Sequence, residues 1–366
     1  MAEPFDILSH VQPHFLDLDA YEAVDPPEVL AERAGIPESQ VVKLNGNENP
    51  YGPSPRVMEA LANLDRVHIY PDPQQVALRE AIGHYMDVAP EYIVAGNGSD
   101  EIIDLLFRAL LGPGAGVVNC TPTFGMYSFT AHVVGAKAIE VPRNDEFQID
   151  VPKVIKTALT SSKIVVLASP NNPTGNSVPV ADIQRLLDAG LLVILDEAYG
   201  EFGGESVVQM VASHSNLVVL RTFSKWAGLA GLRVGYGVMA PALAEVIMRA
   251  KPPYNVSQAA EAAVLASLDD LPYIRERVSW MVREKQRLYG LLNDVSGLDA
   301  CPSDANFILC RTPENRGQRV YEALARRGVF VRYFSNPRLR DYVRISVGTP
   351  EETDRLMDAL YEALKE

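Results

Sequence analysis

Leu217-Val218-Val219-Leu220-Arg221-Thr222-Phe223-Ser224-Lys225-Trp226-Ala227-Gly228-Leu229-Ala230-Gly231-Leu232-Arg233 starts as an apolar run and ends in small residues and a cation. The run Leu217 to Leu220 reads as a buried strand, and open α/β sheets place their ligand crevices where such strands end. Lys225 emerges at that edge. The small residues behind it let backbone approach a bound molecule closely, and Arg233, eight residues on, offers a fixed cation for a phosphate. An amine that is to form an imine must be deprotonated part of the time, which desolvation or a neighbouring cation arranges. Taken alone, Lys225 reads as a solvated surface lysine, since lysines are seldom buried.

Two upstream strings change that balance. Ser169-Pro170-Asn171-Asn172-Pro173-Thr174-Gly175 follows the apolar Ile164-Val165-Val166-Leu167-Ala168 and is, by itself, a turn. Leu191-Leu192-Val193-Ile194-Leu195-Asp196-Glu197-Ala198-Tyr199 ends a buried run in a carboxylate, and such an acid costs free energy unless it meets a cation or a donor. A third string, Gly96-Asn97-Gly98-Ser99-Asp100-Glu101, precedes the helix-periodic Ile102-Ile103-Asp104-Leu105-Leu106. The backbone N–H groups of a helix start bind phosphate, which makes Gly98, Ser99 and Asp100 candidate contacts. Ser99 or Asp100 as an ordinary N-cap is the plainer reading. No Gly-Lys-Ser/Thr follows and the third glycine of a dinucleotide fingerprint is missing.

The strings around Asn172, Asp196 and Lys225, in this order, resemble the fold type I pyridoxal phosphate enzymes and, within them, the aminotransferases of classes I and II. The resemblance implies an α/β fold, with a large domain built on a mostly parallel seven-stranded sheet and a smaller α+β domain, and pyridoxal 5'-phosphate as cofactor. By motif position Lys225 would anchor the cofactor, Asp196 would keep its ring nitrogen protonated as an electron sink, and Asn172 and Tyr199 would hydrogen-bond its phenolic oxygen. Ser224 and Arg233 would complete the phosphate cup. Phe124, in Pro122-Thr123-Phe124-Gly125-Met126-Tyr127, would stack on the ring, although core packing is the plainer reading.

Composition agrees without identifying. A chain of 366 residues with 47% hydrophobic and 22% charged content can bury a large core and divides into two domains. No apolar run is long enough to cross a bilayer. Met1-Ala2-Glu3-Pro4-Phe5-Asp6 lacks the regions of a signal peptide, and Cys120, Cys301 and Cys310 fall at no metal-ligand spacing, which suits a reducing cytoplasm and no metal site. A net charge of −14 argues against nucleic acid and acidic membranes as partners. Alternating strands and helices from Gly52 to Pro253 mark the cofactor domain, 52–253, and Lys251-Pro252-Pro253-Tyr254-Asn255 marks its edge. An amphipathic stretch from Ile274 to Leu292 follows. Strands are expected at Ala305 to Cys310, Val329 to Arg332 and Tyr342 to Val347, before a helix opened by the capping box Thr349-Pro350-Glu351-Glu352. The resemblance implies that residues 1–51 join 254–366 in the smaller domain, and that the site is shared across a homodimer.

Arg344, in Val343-Arg344-Ile345-Ser346-Val347-Gly348, is an edge-strand arginine reaching water or a guanidinium fork aimed at an anion. The resemblance favours the fork, and Arg332 is a second candidate. Longer matches at Leu44-Asn45-Gly46-Asn47-Glu48-Asn49-Pro50-Tyr51-Gly52-Pro53-Ser54-Pro55, Tyr70-Pro71-Asp72-Pro73, Pro252 to Ser257 and Ser303 to Ile308 imply Tyr21 and Asn47 at the substrate, and Tyr70 reaching the cofactor phosphate of the dimer partner. The small-molecule substrates they imply are L-histidinol phosphate and 2-oxoglutarate, with L-glutamate as a product. An aromatic amino acid aminotransferase and a phosphothreonine-type decarboxylase remain alternatives on the same fold. A non-catalytic cofactor-binding regulator would ordinarily carry a basic DNA-binding segment, and residues 1–50 offer none.

Overall fold

The computed structural model describes residues 5–313 and 315–365, so the first four residues of the stretch Met1 to Asp6 lie outside the described residues. Its centre is a seven-stranded sheet with the strand order Ile93–Asn97, Val234–Met239, Leu217–Thr222, Leu192–Asp196, Ile164–Ala168, Gly116–Thr121, Lys137–Pro142. Every neighbouring pair is parallel except the two made by Val234–Met239. The parallel strands read as continuous apolar runs because both faces are covered by helices. Ile164–Ala168 and Leu217–Thr222 are buried at every position. The helix Val180–Asp188 shows how the cover is made: its apolar residues recur at Ile183, Leu186 and Leu187, all buried, and each such side chain contributes about 1.5–3 kcal/mol.

This topology decides where chemistry can sit. Strands 93–97, 116–121, 164–168, 192–196 and 217–222 all finish at one edge of the sheet. Val234–Met239 runs the opposite way, so it begins there, with Val234 opposite Asn97. Arg233, in a left-handed conformation at φ 54°, therefore reaches the same edge as the start of helix Gly98–Leu110.

The smaller unit holds a four-stranded antiparallel sheet in the order Arg332–Tyr333, Tyr342–Ser346, Phe307–Arg311, Asp299–Ala300. The expected single strand Val329 to Arg332 is two strands. Val329–Phe330 pairs in parallel with Val42–Lys43, whereas Arg332–Tyr333 pairs with Tyr342–Ser346. Val331 between them is buried, so the chain changes sheets there without exposing apolar surface. The last helix, Pro350–Lys365, opens with the expected capping box: the Thr349 amide donates to Glu352 Oε2 at 2.7 Å and the Glu352 amide to Thr349 Oγ1 at 3.3 Å.

The two cores divide the chain later than residue 253. Helix Gln258–Asp269 packs on helices Pro55–Ala62 and Val76–Met86 of the large unit. In the next helix, Leu271–Asn293, Ile274 and Met281 belong to the large core and Leu288 and Leu292 to the small one. The units meet inside that helix, and Pro252-Pro253 is a turn within the large one. At the other end, Val42 and Leu44 join the small core, but helix Pro13–Leu16 packs on Met126–Val133 of the large unit, with His14 Nε2 at 3.3 Å from Val133 O. The N-terminal segment therefore straps both units. No described helix is long and apolar enough to cross a membrane.

Candidate active site

A cavity of about 370 Å³ opens at the carboxyl edge of the large sheet, under the smaller unit. Its size suits a small-molecule site. Lys225, Asp196, Tyr199, Asn172, Ser99, Asp100, Phe124, Ser224, Arg233, Tyr21, Asn47, Arg332 and Arg344 all line it. Residues as distant in the chain as Tyr21 and Arg344 thus meet in one cavity.

The Lys225 amine donates one hydrogen bond, to Gly46 O at 3.0 Å. Burial, and then the nearby Arg344 guanidinium, push its pKa down to about 8, so about a tenth of the amine is neutral and nucleophilic at pH 7, far more than for a free lysine. Asp196, 5% exposed, accepts from Tyr127 Oη at 2.8 Å and from the Ala198 amide at 3.0 Å. Burial nonetheless raises its pKa to about 6, because two donors offset only part of the lost hydration. A cation facing it would restore full ionisation. The Tyr199 hydroxyl accepts from Asn47 Nδ2 at 3.0 Å, and burial raises its pKa to about 12, which keeps it a donor.

The phosphate-binding candidate is built from three strand ends. Helix Gly98–Leu110 begins at Gly98, with Asn97 as N-cap and no side-chain bond closing the cap. Neither Ser99 nor Asp100 is the cap, as the plainer reading expected. Instead Glu101 turns back and accepts from the Asn97 amide at 2.6 Å, which leaves the first-turn amides to a ligand. Gly98, at φ +78°, does not line the cavity but shapes its floor: a Cβ there would lie 2.6 Å from Arg233 Nη2. Likewise a Cβ on Gly235 would strike the Ser99 amide nitrogen at 2.3 Å. The Arg233 guanidinium, half-exposed, meets Asp100 Oδ2 at 3.0 Å, and the Ser224 hydroxyl lies 3.0 Å from Thr222 Oγ1.

At the far end, Arg344 settles between its two readings. Tyr342–Ser346 is an interior strand, and Arg344 is 7% exposed. It donates to Asn172 Oδ1 and Asn45 O, both at 2.6 Å, while its Nε has no partner. Burial pulls its pKa down to about 10, still protonated at neutral pH. No carboxylate pairs with it among the described residues. An unpaired buried cation is costly, and an anionic ligand would relieve it. Arg332 is already engaged, with Glu22 O at 2.8 Å and Glu22 Oε2 at 3.1 Å, and so holds residues 22–23 against the opening. The Tyr21 ring meets Phe124 edge-on at 6.2 Å. Tyr70 lies away from this cavity, 75% exposed and stacked on Tyr254 at 4.3 Å.

The model of the family described as aminotransferase class I and II matches residues 39–360. The chain belongs to that family. It is 46% identical, over 98% of its length and 99% of the relative's, to the histidinol-phosphate aminotransferase of Roseiflexus castenholzii. It is 46% identical to histidinol-phosphate aminotransferase 1, chloroplastic, of Arabidopsis thaliana, over 96% of this chain and 85% of that one. The solved histidinol-phosphate aminotransferase of Sinorhizobium meliloti in complex with pyridoxal-5'-phosphate superposes with a TM-score of 0.89 at 26% identity, covering 98% of each chain.

Several residues of this aminotransferase's cavity escaped the sequence reading. Tyr127, the donor to Asp196, lies in the first turn of helix Met126–Val133, which begins after Phe124, and nothing local in the sequence marks it as the partner of that acid. Gly46 O and Asn45 O, the acceptors for Lys225 and Arg344, are backbone groups with no side-chain signature. The Ser346 hydroxyl, which donates to Asn47 Oδ1 at 2.9 Å, orients Asn47 and thereby the Tyr199 contact.

Proposed function

We infer that this aminotransferase interconverts L-histidinol phosphate and 2-oxoglutarate with imidazole acetol phosphate and L-glutamate, a step of histidine biosynthesis, using pyridoxal 5'-phosphate. The observation that carries it is one cavity in which a buried amine, a buried carboxylate and an uncompensated guanidinium converge. Near-full-length likeness to proteins of that name supports the choice of substrate. The donor set fits the cofactor: Lys225 would anchor it, Asp196 would face its ring nitrogen, Asn172 and Tyr199 its phenolic oxygen and Phe124 its ring. The amides of Gly98, Ser99 and Asp100, with Ser224 and Arg233, would hold its phosphate. When bound, the cofactor supplies an electron sink for negative charge developing at the substrate Cα.

The chain's own groups do the rest. Asp196 holds negative charge opposite the sink, with Tyr127 fixing its Oδ2. Lys225 Nζ, with a pKa near 8, can take the Cα proton and later release it. Arg344 binds the substrate anion. Histidinol phosphate has no carboxylate and glutamate has two, so one site must accept phosphate and carboxylate alike, and a planar fork fits either. Tyr21, Asn47 and Arg332 complete the substrate end. Arg344→Lys is expected to raise KM for both substrates by about 10- to 100-fold, since a point charge replaces two charge-assisted bonds; steady-state kinetics with each substrate varied would check it.

The proposal includes a homodimer with shared sites, supported by the exposed Tyr70 on a face with Val67 and Ile69, 73% and 51% exposed. It also includes a cytoplasmic location, supported by three free cysteines. A second reading, an aromatic amino acid aminotransferase, draws on the aromatic lining of Tyr21, Phe124, Tyr127 and Phe334. Specificity constants for histidinol phosphate and phenylalanine, with 2-oxoglutarate as acceptor, decide between them. Ping-pong kinetics with a clear preference for histidinol phosphate are expected, and a preference for phenylalanine would overturn the substrate assignment.

A further inference from the structure

Behind the cavity lies a buried ionic cluster that the chemistry above does not use. Arg221, 5% exposed, is in the strand leading to Lys225. Its Nη2 lies 2.7 Å from Glu197 Oε2 and its Nη1 2.9 Å from Glu201 Oε1. Glu197 directly follows Asp196, and Glu201 comes two residues after Tyr199. The guanidinium therefore grips both sides of the short turn that presents those two groups to the cavity. The fit is close, since a Cβ on Gly200 would lie 2.8 Å from Arg221 Nη1. The acids are held in turn: the Ser206 hydroxyl and the Val207 amide donate to Glu197 at 2.7 and 2.9 Å, and Tyr85 Oη reaches Glu201 Oε1 at 3.3 Å.

Such a cluster is an inefficient source of stability, because desolvating three ions consumes most of their attraction. A planar fork supplies geometry instead, two directed bonds at a fixed separation. We propose that Arg221, with Glu197 and Glu201, is a positioning clamp that fixes Asp196 and Tyr199 relative to the Lys225 amine. Asp196 and Tyr199 sit at the end of one strand and Lys225 beyond the end of its neighbour, so side-chain bracing across the two strands sets their mutual distance. Arg221 does not line the cavity and acts only through that turn.

The inference rests on the proposed transaminase activity, and wild-type turnover is the control that separates the two. Arg221→Lys keeps the charge but cannot hold both acids in one plane. Its kcat is expected to fall by about 100-fold, the loss that roughly 1 Å of misplacement brings, with KM for both substrates within about threefold of wild type. The dissociation constant of pyridoxal phosphate from the apoprotein, measured by equilibrium dialysis, should rise about tenfold. Glu201→Gln, which keeps an acceptor but loses one charge, should show both effects at about a tenth of the size in kcat, and it serves as the readout if Arg221→Lys does not fold. Unchanged kcat and unchanged cofactor affinity in the folded variant, even with a lower melting temperature, would overturn the clamp and leave only a structural role. If wild type binds pyridoxal phosphate but transfers no amino group, the functional reading fails while the dissociation constants still decide the clamp.

Discussion

Lys225→Ala is expected to abolish amino transfer, with kcat falling by at least about 10⁴-fold in steady-state assays, because the proposed anchor and proton carrier are lost together. The amine sits beyond the end of strand Leu217–Thr222, where it donates to Gly46 O, and among the described residues no other lysine lines the cavity to take its place. The same environment gives a pH-dependent signature. Burial and Arg344 lower the pKa from 10.5 to about 8, and a lowered lysine pKa means that the neutral form gains population as pH climbs through 8, over two units earlier than for a free lysine. Covalent loading of the wild-type apoprotein by pyridoxal phosphate, followed by absorbance and by borohydride trapping of the Lys225 peptide, should therefore accelerate through about pH 8 and level off roughly one pH unit above it. Continued acceleration towards pH 10 would show that the amine is not desolvated as the geometry requires.

Asp196→Asn is the second large effect. In the proposed placement of the cofactor this buried carboxylate would hold the protonated ring nitrogen, and its replacement should lower kcat by about 10²- to 10³-fold, the scale of losing one preorganised electrostatic partner. The apoprotein should move the other way. A carboxyl whose folded pKa is raised from 3.8 to about 6 costs on the order of 3 kcal/mol once ionised, at about 1.36 kcal/mol per unit. The cost is absent below pH 3.8, where folded and unfolded states are both protonated, builds from there to about 6, and is complete above it. Asparagine cannot ionise. After about 1 kcal/mol is subtracted for a lost hydrogen bond, the apo variant should be more stable than wild type by about 1–2 kcal/mol at pH 8 by urea unfolding, and the advantage should shrink at pH 5. An apo variant less stable than wild type at pH 8 would mean that Asp196 already faces a compensating cation within the chain.

Much of the site was legible because its chemistry is carried in short contiguous strings. Ser224 and Lys225 lie in one loop, Asp196 and Tyr199 in one turn, and Ser99 and Asp100 in one helix start, so local sequence places each near a strand end. Arg344 was ambiguous for a physical reason: edge and interior strands share the same apolar alternation, and only the pairing of Tyr342–Ser346 on both sides buries the guanidinium. The double strand at 329–333 was hidden because Val331 satisfies either pairing. The boundary at residue 253 was misplaced because a proline pair marks a turn whether or not the core ends there. Tyr127 and the backbone acceptors at Asn45 and Gly46 were missed, since a hydrogen-bond partner far along the chain leaves no local trace.

The sequence by itself determined the α/β class and its apolar strands, because apolar periodicity and turn chemistry act over a few residues, and the roles proposed for Lys225 and Asp196 rest on the resemblance their motifs carry. Only the tertiary structure decided that no carboxylate among the described residues pairs with Arg344, that the Arg221 guanidinium lies between Glu197 and Glu201, and that burial lowers the pKa of Lys225 and raises that of Asp196. Those properties depend on desolvation and on charges brought close from remote positions, and both are set by packing rather than by the order of residues along the chain.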